Sequence, residues 1–369
     1  MRLFIVRRIC LRNLLLASLA CLCLACGCSL GPVNMPSFAD DPTARRIDPN
    51  NGPFMIIEIE RANPNPGQKR AERIIQWKKT RASLDLDATG VFATRYRDLE
   101  FRLFSKVSVP VRLGEGRDYW ALIDTGYAGS LYLNGAVVRD CDLAVFPLGK
   151  HSDTGCPQGL CEVPVMQIGP ATIANLPCWY GQSQWQFRVL GVPLHRDRMV
   201  FIGLEFLQAF SYIRFDSTRR EVVFSPHDAF QPDDSSQWVS APFVLEKVAG
   251  KLRMMVDVSL GPRDAHVEFD TGGAKPGLLL RDDVWQDLGG AVGKKGRQAS
   301  YQFGWLPCRR VVVPELRVGP LTLQRRKAAV LAQDSPLLEG IEGILSLDYF
   351  KKTDVVLDFK QNRIWIRKF

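Results

Sequence analysis

The chain has 369 residues, 46% hydrophobic and 24% charged, with 30 glycines and 23 prolines. These proportions belong to a globular protein of about two domains and exclude a disordered, collagenous or coiled-coil chain. The net charge of +9 falls to +5 once Arg2, Arg7, Arg8 and Arg12 are set aside, leaving 44 basic against 39 acidic residues without a long basic block, so no nucleic-acid partner is expected.

Arg7, Arg8 and Arg12 precede an apolar run from Leu14 to Ala25 that is too short to span a bilayer comfortably, the pattern of an export signal over residues 1–27. The segment Leu24-Ala25-Cys26-Gly27-Cys28-Ser29 resembles a bacterial lipobox, in which small residues precede a cysteine that is lipidated and becomes the new N-terminus. Cys28 after Gly27 fits best, with Cys26 after Ala25 as the alternative. The resemblance implies a protein of the bacterial cell envelope, held to the membrane by its N-terminal lipid and facing the periplasm. Such a compartment permits disulfides, and Cys156 and Cys161 are close enough in sequence to staple a hairpin. The connectivity of Cys141, Cys178 and Cys308 stays open, and one thiol at least is left over.

Residues 28–100 read as a mixed arm or cap, with a strand from Phe54 to Ile59 and a helix over about 68–83 whose apolar face is Ile74, Ile75 and Trp77. Asp85-Leu86-Asp87-Ala88-Thr89-Gly90 lacks an apolar strand before it and reads as a solvated turn. From 101 onward the sequence says the same thing twice. Val163-Pro-Val-Met-Gln-Ile-Gly-Pro-Ala-Thr-Ile173 matches Val313-Pro-Glu-Leu-Arg-Val-Gly-Pro-Leu-Thr-Leu323, and Phe201-Ile-Gly-Leu-Glu-Phe-Leu207 matches Ile344-Leu-Ser-Leu-Asp-Tyr-Phe350. Short runs rich in Val, Ile and Leu alternate with polar residues, which predicts a mainly β protein of two similar lobes, 101–230 and 241–369, joined by a polar linker at 231–240. Brief helices are expected at 135–143 and 281–288.

Each half carries one Asp-Thr-Gly directly after an apolar strand: Trp120-Ala-Leu-Ile-Asp124-Thr125-Gly126 and His266-Val-Glu-Phe-Asp270-Thr271-Gly272. A third copy, Asp153-Thr154-Gly155, follows Lys-His-Ser and reads as an ordinary turn. The strand-borne pair, each followed some 75 residues later by an apolar segment, resembles the aspartic protease superfamily, pepsin-like and retropepsin-like. That resemblance covers about 101–369 and implies two tandem retropepsin-like β-barrel lobes related by a pseudo-twofold axis. It further implies catalytic Asp124 and Asp270, with Thr125, Gly126, Thr271 and Gly272 supporting the two loops. Two adjacent carboxyls that share one proton supply both the base that activates water and the acid that protonates the scissile amide, so no cofactor and no metal are needed. The implied partner is a polypeptide substrate, and the implied state is a monomer. The scattered His151, His195, His227 and His266 lack metal-ligand spacing, and no Gly-x-Ser-x-Gly elbow is present.

Two departures from the family pattern bear on activity. Lobe one keeps the apolar-apolar-Gly segment as Phe201-Ile202-Gly203, whereas lobe two has Ile344-Leu345-Ser346, and the residue after each motif is Tyr127 or Gly273 in place of a small Ser, Thr or Ala. Ser346 threatens to displace the second loop, and Tyr127 to intrude on the site. The stretches 149–162 and 293–310 are candidate hairpins over the cleft, with Tyr301 or Trp305 lining it. The competing expectation is a non-catalytic peptide-binding lipoprotein that keeps the cleft alone. Mass spectrometry of the mature N-terminus is expected to find a lipidated Cys28 in a membrane-bound fraction; an unmodified start elsewhere on a protein absent from membranes contradicts it.

Overall fold

The computed structural model describes residues 42–47, 54–62, 69–77, 83–84, 90–101, 104–150, 156–181, 187–189, 192–195, 198–273, 275–300 and 303–368. The leader with Cys28, the 85–89 turn, the third Asp-Thr-Gly and Tyr301 lie outside the described residues.

In each half the aspartate-bearing strand is buried on both faces near its end, as in Ala121-Leu122-Ile123 and Val267-Glu268-Phe269, because other elements cover it on both sides. The first-half strand Arg117–Asp124 pairs antiparallel with Phe104–Leu113 and parallel with Val200–Gly203, so that Gly203 lies beside Asp124. Val200–Gly203 continues to Leu131–Asn134, that strand to Ala171–Gly181, and that one to Pro157–Ile168, which returns to Phe104–Leu113 and closes a six-stranded barrel. The second half repeats every step. Arg263–Asp270 lies between Lys251–Leu260 and Gly343–Ser346, and the ring runs on through Leu278–Arg281, Leu321–Leu331 and Gly304–Val318 back to Lys251–Leu260. Both long hairpins turn on a Gly-Pro pair with the glycine at positive φ, Gly169 at 56° and Gly319 at 54°, the left-handed geometry that a two-residue hairpin demands. The two tandem barrels are thus built on one plan. Asp-Thr-Gly leads in both to a short strand and then a short helix, Gly135–Asp140 capped by the Asn134 side chain and Asp282–Asp287.

The halves also share a sheet. Tyr212–Asp216 of the first pairs antiparallel with Val355–Asp358 of the second, and the sheet extends outward through Glu221–Ser225 and Phe92–Arg95 on one side and Arg363–Arg367 and Trp238–Val248 on the other. Residues 238–240, at the end of the expected linker, therefore already belong to a strand, and Phe92–Arg95 of the expected arm is built into the shared sheet. One continuous apolar core runs through both barrels, from Val109 and Ile123 to Phe269 and Leu345.

Three expectations are corrected. The stretch expected as a helix over 68–83 is the strand Lys69–Trp77, paired residue for residue with Phe54–Ala62, as in Ile56 opposite Ile75. Its apolar spacing suits either period, and a complementary strand with Met55-Ile56-Ile57 decides for the sheet. Cys156 and Cys161 are not joined in a disulfide. Cys161 lies in the strand Pro157–Ile168 and Cys156 directly precedes it, so the extended chain holds their Cα atoms roughly 16 Å apart, far beyond disulfide reach. Trp305 stands on the exposed face of Gly304–Val318 with Pro307, while Leu306 and Cys308 turn inward; it is 39% exposed and does not line the cleft.

Asp354, 2% exposed, ties the halves at the shared sheet: it accepts from Arg214 Nη2 at 2.7 Å, from Ser217 N at 2.9 Å and from Ser217 Oγ at 3.1 Å, with Arg367 Nη1 at 3.7 Å. Asp354→Ala strands a part-buried guanidinium and an amide N–H, and is expected to cost about 2–4 kcal/mol, read as a lowered urea midpoint. Asp354→Asn, which still accepts hydrogen bonds, is expected to cost less.

Candidate active site

Asp124 and Asp270 end their strands at the junction of the two barrels, where a parallel neighbour on one side and an antiparallel one on the other fix the strand direction. The loops that follow are locked to each other. Thr125 N donates to Thr271 Oγ1 at 3.1 Å, and Thr271 N donates to Thr125 Oγ1 at 3.0 Å. Each hydroxyl in turn donates across the junction, Thr125 Oγ1 to the Phe269 carbonyl at 2.7 Å and Thr271 Oγ1 to the Ile123 carbonyl at 2.8 Å. Both threonines are buried, and the N–H and the hydroxyl of each find their partners within the protein.

This lock brings the carboxyls together. Gly126 N donates to Asp124 Oδ1 at 3.0 Å and Gly272 N to Asp270 Oδ1 at 2.7 Å, which turns each side chain toward the opposite loop. A Cβ on Gly126 would lie 2.6 Å from Asp270 Cγ, and one on Gly272 would lie 2.3 Å from Asp124 Cγ, distances that no side chain tolerates. Glycine is required at both positions by this close approach. Burial at the cleft floor, then the neighbouring Asp124 carboxyl and then Glu268 raise Asp270 well above the usual carboxylate range, with Lys106 opposing them. An acid that resists ionising beside a second carboxyl is the arrangement in which one proton is shared by two sites.

A second layer of charge lies under the dyad. Glu268 is two residues before Asp270 on the same strand, hence on the same face, and forms a buried ion pair with Arg253. Burial pushes Glu268 up to about 7 against the pull of Arg253. Lys106 is also buried and lines the cleft beside Asp124. None of these three was singled out from the sequence. The i, i+2 spacing of Glu268 and Asp270 was a usable signal for the first; Arg253 and Lys106 come from neighbouring strands and left none.

The two departures from the family pattern explain each other. In lobe one the ring and backbone of Tyr127 occupy the space beside Gly203: a Cβ there would lie 2.0 Å from Gly129 O and 2.4 Å from Tyr127 Cδ1. In lobe two the order is reversed, since Gly273 follows the motif and the Cβ of Ser346 fills the place, 2.5 Å from where a Cβ on Gly273 would stand. One bulky and one bare residue meet in each lobe, so Ser346 is accommodated, and the Thr271 bonds remain intact. Ser346 Oγ accepts from Asp348 N at 3.3 Å, starting the turn after its strand. Tyr127 borders the cleft, but its hydroxyl turns away to the Leu131 carbonyl at 3.3 Å.

Above the carboxyls opens a cleft of about 740 Å³ between the barrels. Cys156 and Gln158, from the first-lobe hairpin Val145–Lys150 with Pro157–Ile168, reach one side; Ser300 and Phe303, from the hairpin Lys294–Ser300 with Gly304–Val318, reach the other. Phe303 takes the cleft position expected of Trp305, with Trp179 and Leu337 as further apolar walls. A second recess of about 1000 Å³ near Trp285 and Val313 in lobe two is lined by neither aspartate. Among the described residues no cluster of three or more His, Cys, Asp and Glu is placed to hold a metal ion.

No protein-family model and no curated protein matches the chain. Among solved structures it is similar to an aspartic proteinase from Irpex lacteus, at 12% identity over 76% of this chain and 97% of that one, with a TM-score of 0.44. It is likewise similar to edgp (9% identity, 76% and 95% covered, TM-score 0.45) and to Basic 7S globulin from soybean (10%, 76% and 97%, 0.43). Likeness at this level concerns the general course of the backbone alone.

The steric exchange in lobe two is open to a double-mutant cycle. Gly273→Ala is expected to destabilise by about 1–3 kcal/mol through the Ser346 Cβ, and Ser346→Gly by less than about 1 kcal/mol. The double variant is expected to be more stable than Gly273→Ala alone, which urea denaturation measures as a favourable coupling.

Proposed function

We propose that this chain is an aspartic endopeptidase of the bacterial envelope, exported and lipid-anchored through Cys28, which hydrolyses peptide bonds of polypeptides laid in the cleft between its lobes. The observation that carries this reading is the pair of carboxyls packed over each other's glycines at the cleft floor, held by the reciprocal threonine bonds. Water lodged between the two carboxyls gives its proton to the ionised one as it attacks the scissile carbonyl, while the protonated one donates to the carbonyl oxygen. As the tetrahedral intermediate collapses, the proton gained from water passes to the leaving amine. The two carboxyls act as one titrating unit, one ionised and one protonated at the start of the cycle. An extended polypeptide suits the open cleft, whose walls mix aromatic surface from Trp179 and Phe303 with backbone and polar groups of the two hairpins. The competing reading, peptide binding without hydrolysis, drew on Ser346 and Tyr127; both are absorbed by the glycine opposite them.

Asp124→Asn and Asp270→Asn are each expected to lower kcat on an unfolded protein substrate by about a thousandfold or more, with the double variant no worse than either single one. A wild type that binds peptides but cleaves none at any pH supports the non-catalytic reading, and loss from only one of the two variants contradicts the dyad. Stability carries a second signature. A carboxyl raised in the folded state favours folding while protonated, so the Asp270 contribution is present below its ordinary value near 4 and is lost as pH rises through its folded value. Asp270→Asn is therefore expected to gain in melting temperature over wild type toward neutral pH, and the gap to narrow toward pH 4.

A further inference from the structure

Lobe one holds two thiols in a register that lobe two fills with hydrocarbon. The hairpin of Pro157–Ile168 with Ala171–Gly181 turns on Gly169-Pro170, so Ile168 and Ala171 form the hydrogen-bonded pair that closes a two-residue turn. The partners keep their numbering on both sides of Pro164 and Asn175, where Asn175 at φ 53° interrupts the ladder and the inward face passes from Met166 and Ile168 to Val163 and Cys161: Val165 faces Ala174, Val163 faces Leu176, and Cys161 faces Cys178. Cys161 and Cys178 are directly opposed, with both side chains on the inward face. Directly opposed residues of an antiparallel pair have Cα atoms about 4.5–5.5 Å apart and side chains that rise on the same face, inside the range of about 4.4–6.8 Å that a disulfide spans. Both side chains are shut in the core, at 0% and 1% exposure, and Cys178 Sγ rests 3.4 Å from the Leu176 carbonyl. The equivalent pair in lobe two, counted from Gly319-Pro320, is Val311 opposite Ala328. Cys156 is too far along the extended chain to compete, and Cys141 Sγ lies 3.3 Å from Tyr119 Oη at the end of a helix.

The geometry points to Cys161 and Cys178 as the site of a cross-strand disulfide that pins the first-lobe hairpin behind the cleft wall. The same strands carry Gln158, Trp179, Tyr180 and Gly181 to the cleft, so the bond ties together the two strands that shape one side of it. The oxidant is a small or protein-borne disulfide. One cysteine thiolate attacks it and releases a thiolate, forming a mixed disulfide; the second cysteine then displaces the other half, so that two thiols and one disulfide become one protein disulfide and two thiols. Because the mature pair is enclosed, the exchange takes place while the hairpin is still open, during folding.

The test refolds the full chain in a glutathione redox buffer and, in parallel, in dithiothreitol. Free thiols are then capped with N-ethylmaleimide under denaturing conditions before digestion and mass mapping. The expected result is a peptide pair joined through Cys161 and Cys178, lighter by two hydrogens than its reduced form, together with a melting temperature about 5 °C or more above that of the dithiothreitol sample. C161V/C178A, which copies the Val311 and Ala328 pair, is expected to fold and to show neither the linked peptide nor the shift between buffers. A folded wild type in which both cysteines are capped after glutathione, or in which Cys161 is joined to another cysteine, overturns the proposal. None of these readouts depends on proteolysis, so the outcome stands apart from the proposed activity.

Discussion

The geometry at the junction depends on two hydroxyl groups. Thr125 and Thr271 each accept the other's backbone N–H and each donate to a carbonyl on the opposite strand, so four hydrogen bonds cross between halves that are 146 residues apart in sequence. A serine would keep the hydroxyl but lose the methyl that fixes its rotamer, and a valine at either position would keep the shape but leave one buried N–H without an acceptor and one carbonyl without its donor. Each bond contributes only about 1 kcal/mol net. Their larger effect is positional, because the loops they lock are the loops whose next residue is a glycine bare enough for a carboxyl to pack over it.

That closeness has an electrostatic cost that the surroundings shape. Three carboxyls, Asp124, Asp270 and Glu268, lie within one buried region, and two cations, Lys106 and Arg253, enter it from neighbouring strands. Arg253 is matched to Glu268, yet burial still lifts Glu268 to about 7, so the region prefers to hold protons. For a pair of acids asked to keep one proton between them, such surroundings favour the half-protonated state over the fully ionised one. The same proton affinity works against stability as the pH rises.

Pseudo-symmetry is kept in the backbone and broken in the side chains. Both barrels close with the same order of strands and the same Gly-Pro turn, while the contact beside the aspartate loop is Tyr127 against Gly203 in one lobe and Gly273 against Ser346 in the other. The sum of the two volumes at that contact is what packing constrains, and either partner can be the bare one. Cys161 with Cys178 against Val311 with Ala328 is a second case of one pairing site filled by different chemistry.

What the sequence determined by itself was the repeat, the β character, the two short helices and the identity of the paired aspartates. All of these are local patterns: alternation within a strand, a motif of three residues after an apolar run, and a turn of two. The strand at Lys69–Trp77 escaped because Ile74, Ile75 and Trp77 fit a helical stripe as well as a pleat, and only the partner at Phe54–Ala62 chooses. The sheet shared between halves, the outward face taken by Trp305, the buried Lys106 and Arg253, and the facing of Cys161 with Cys178 rather than Cys156 were decided by tertiary structure. Each of these depends on which strand lies beside which and in what register, and a change of register by one residue would turn every side chain of a strand to its other face. Even the glycine that makes room for Ser346 sits 73 positions away from it, and a contact of that kind is fixed only when the two segments are brought together.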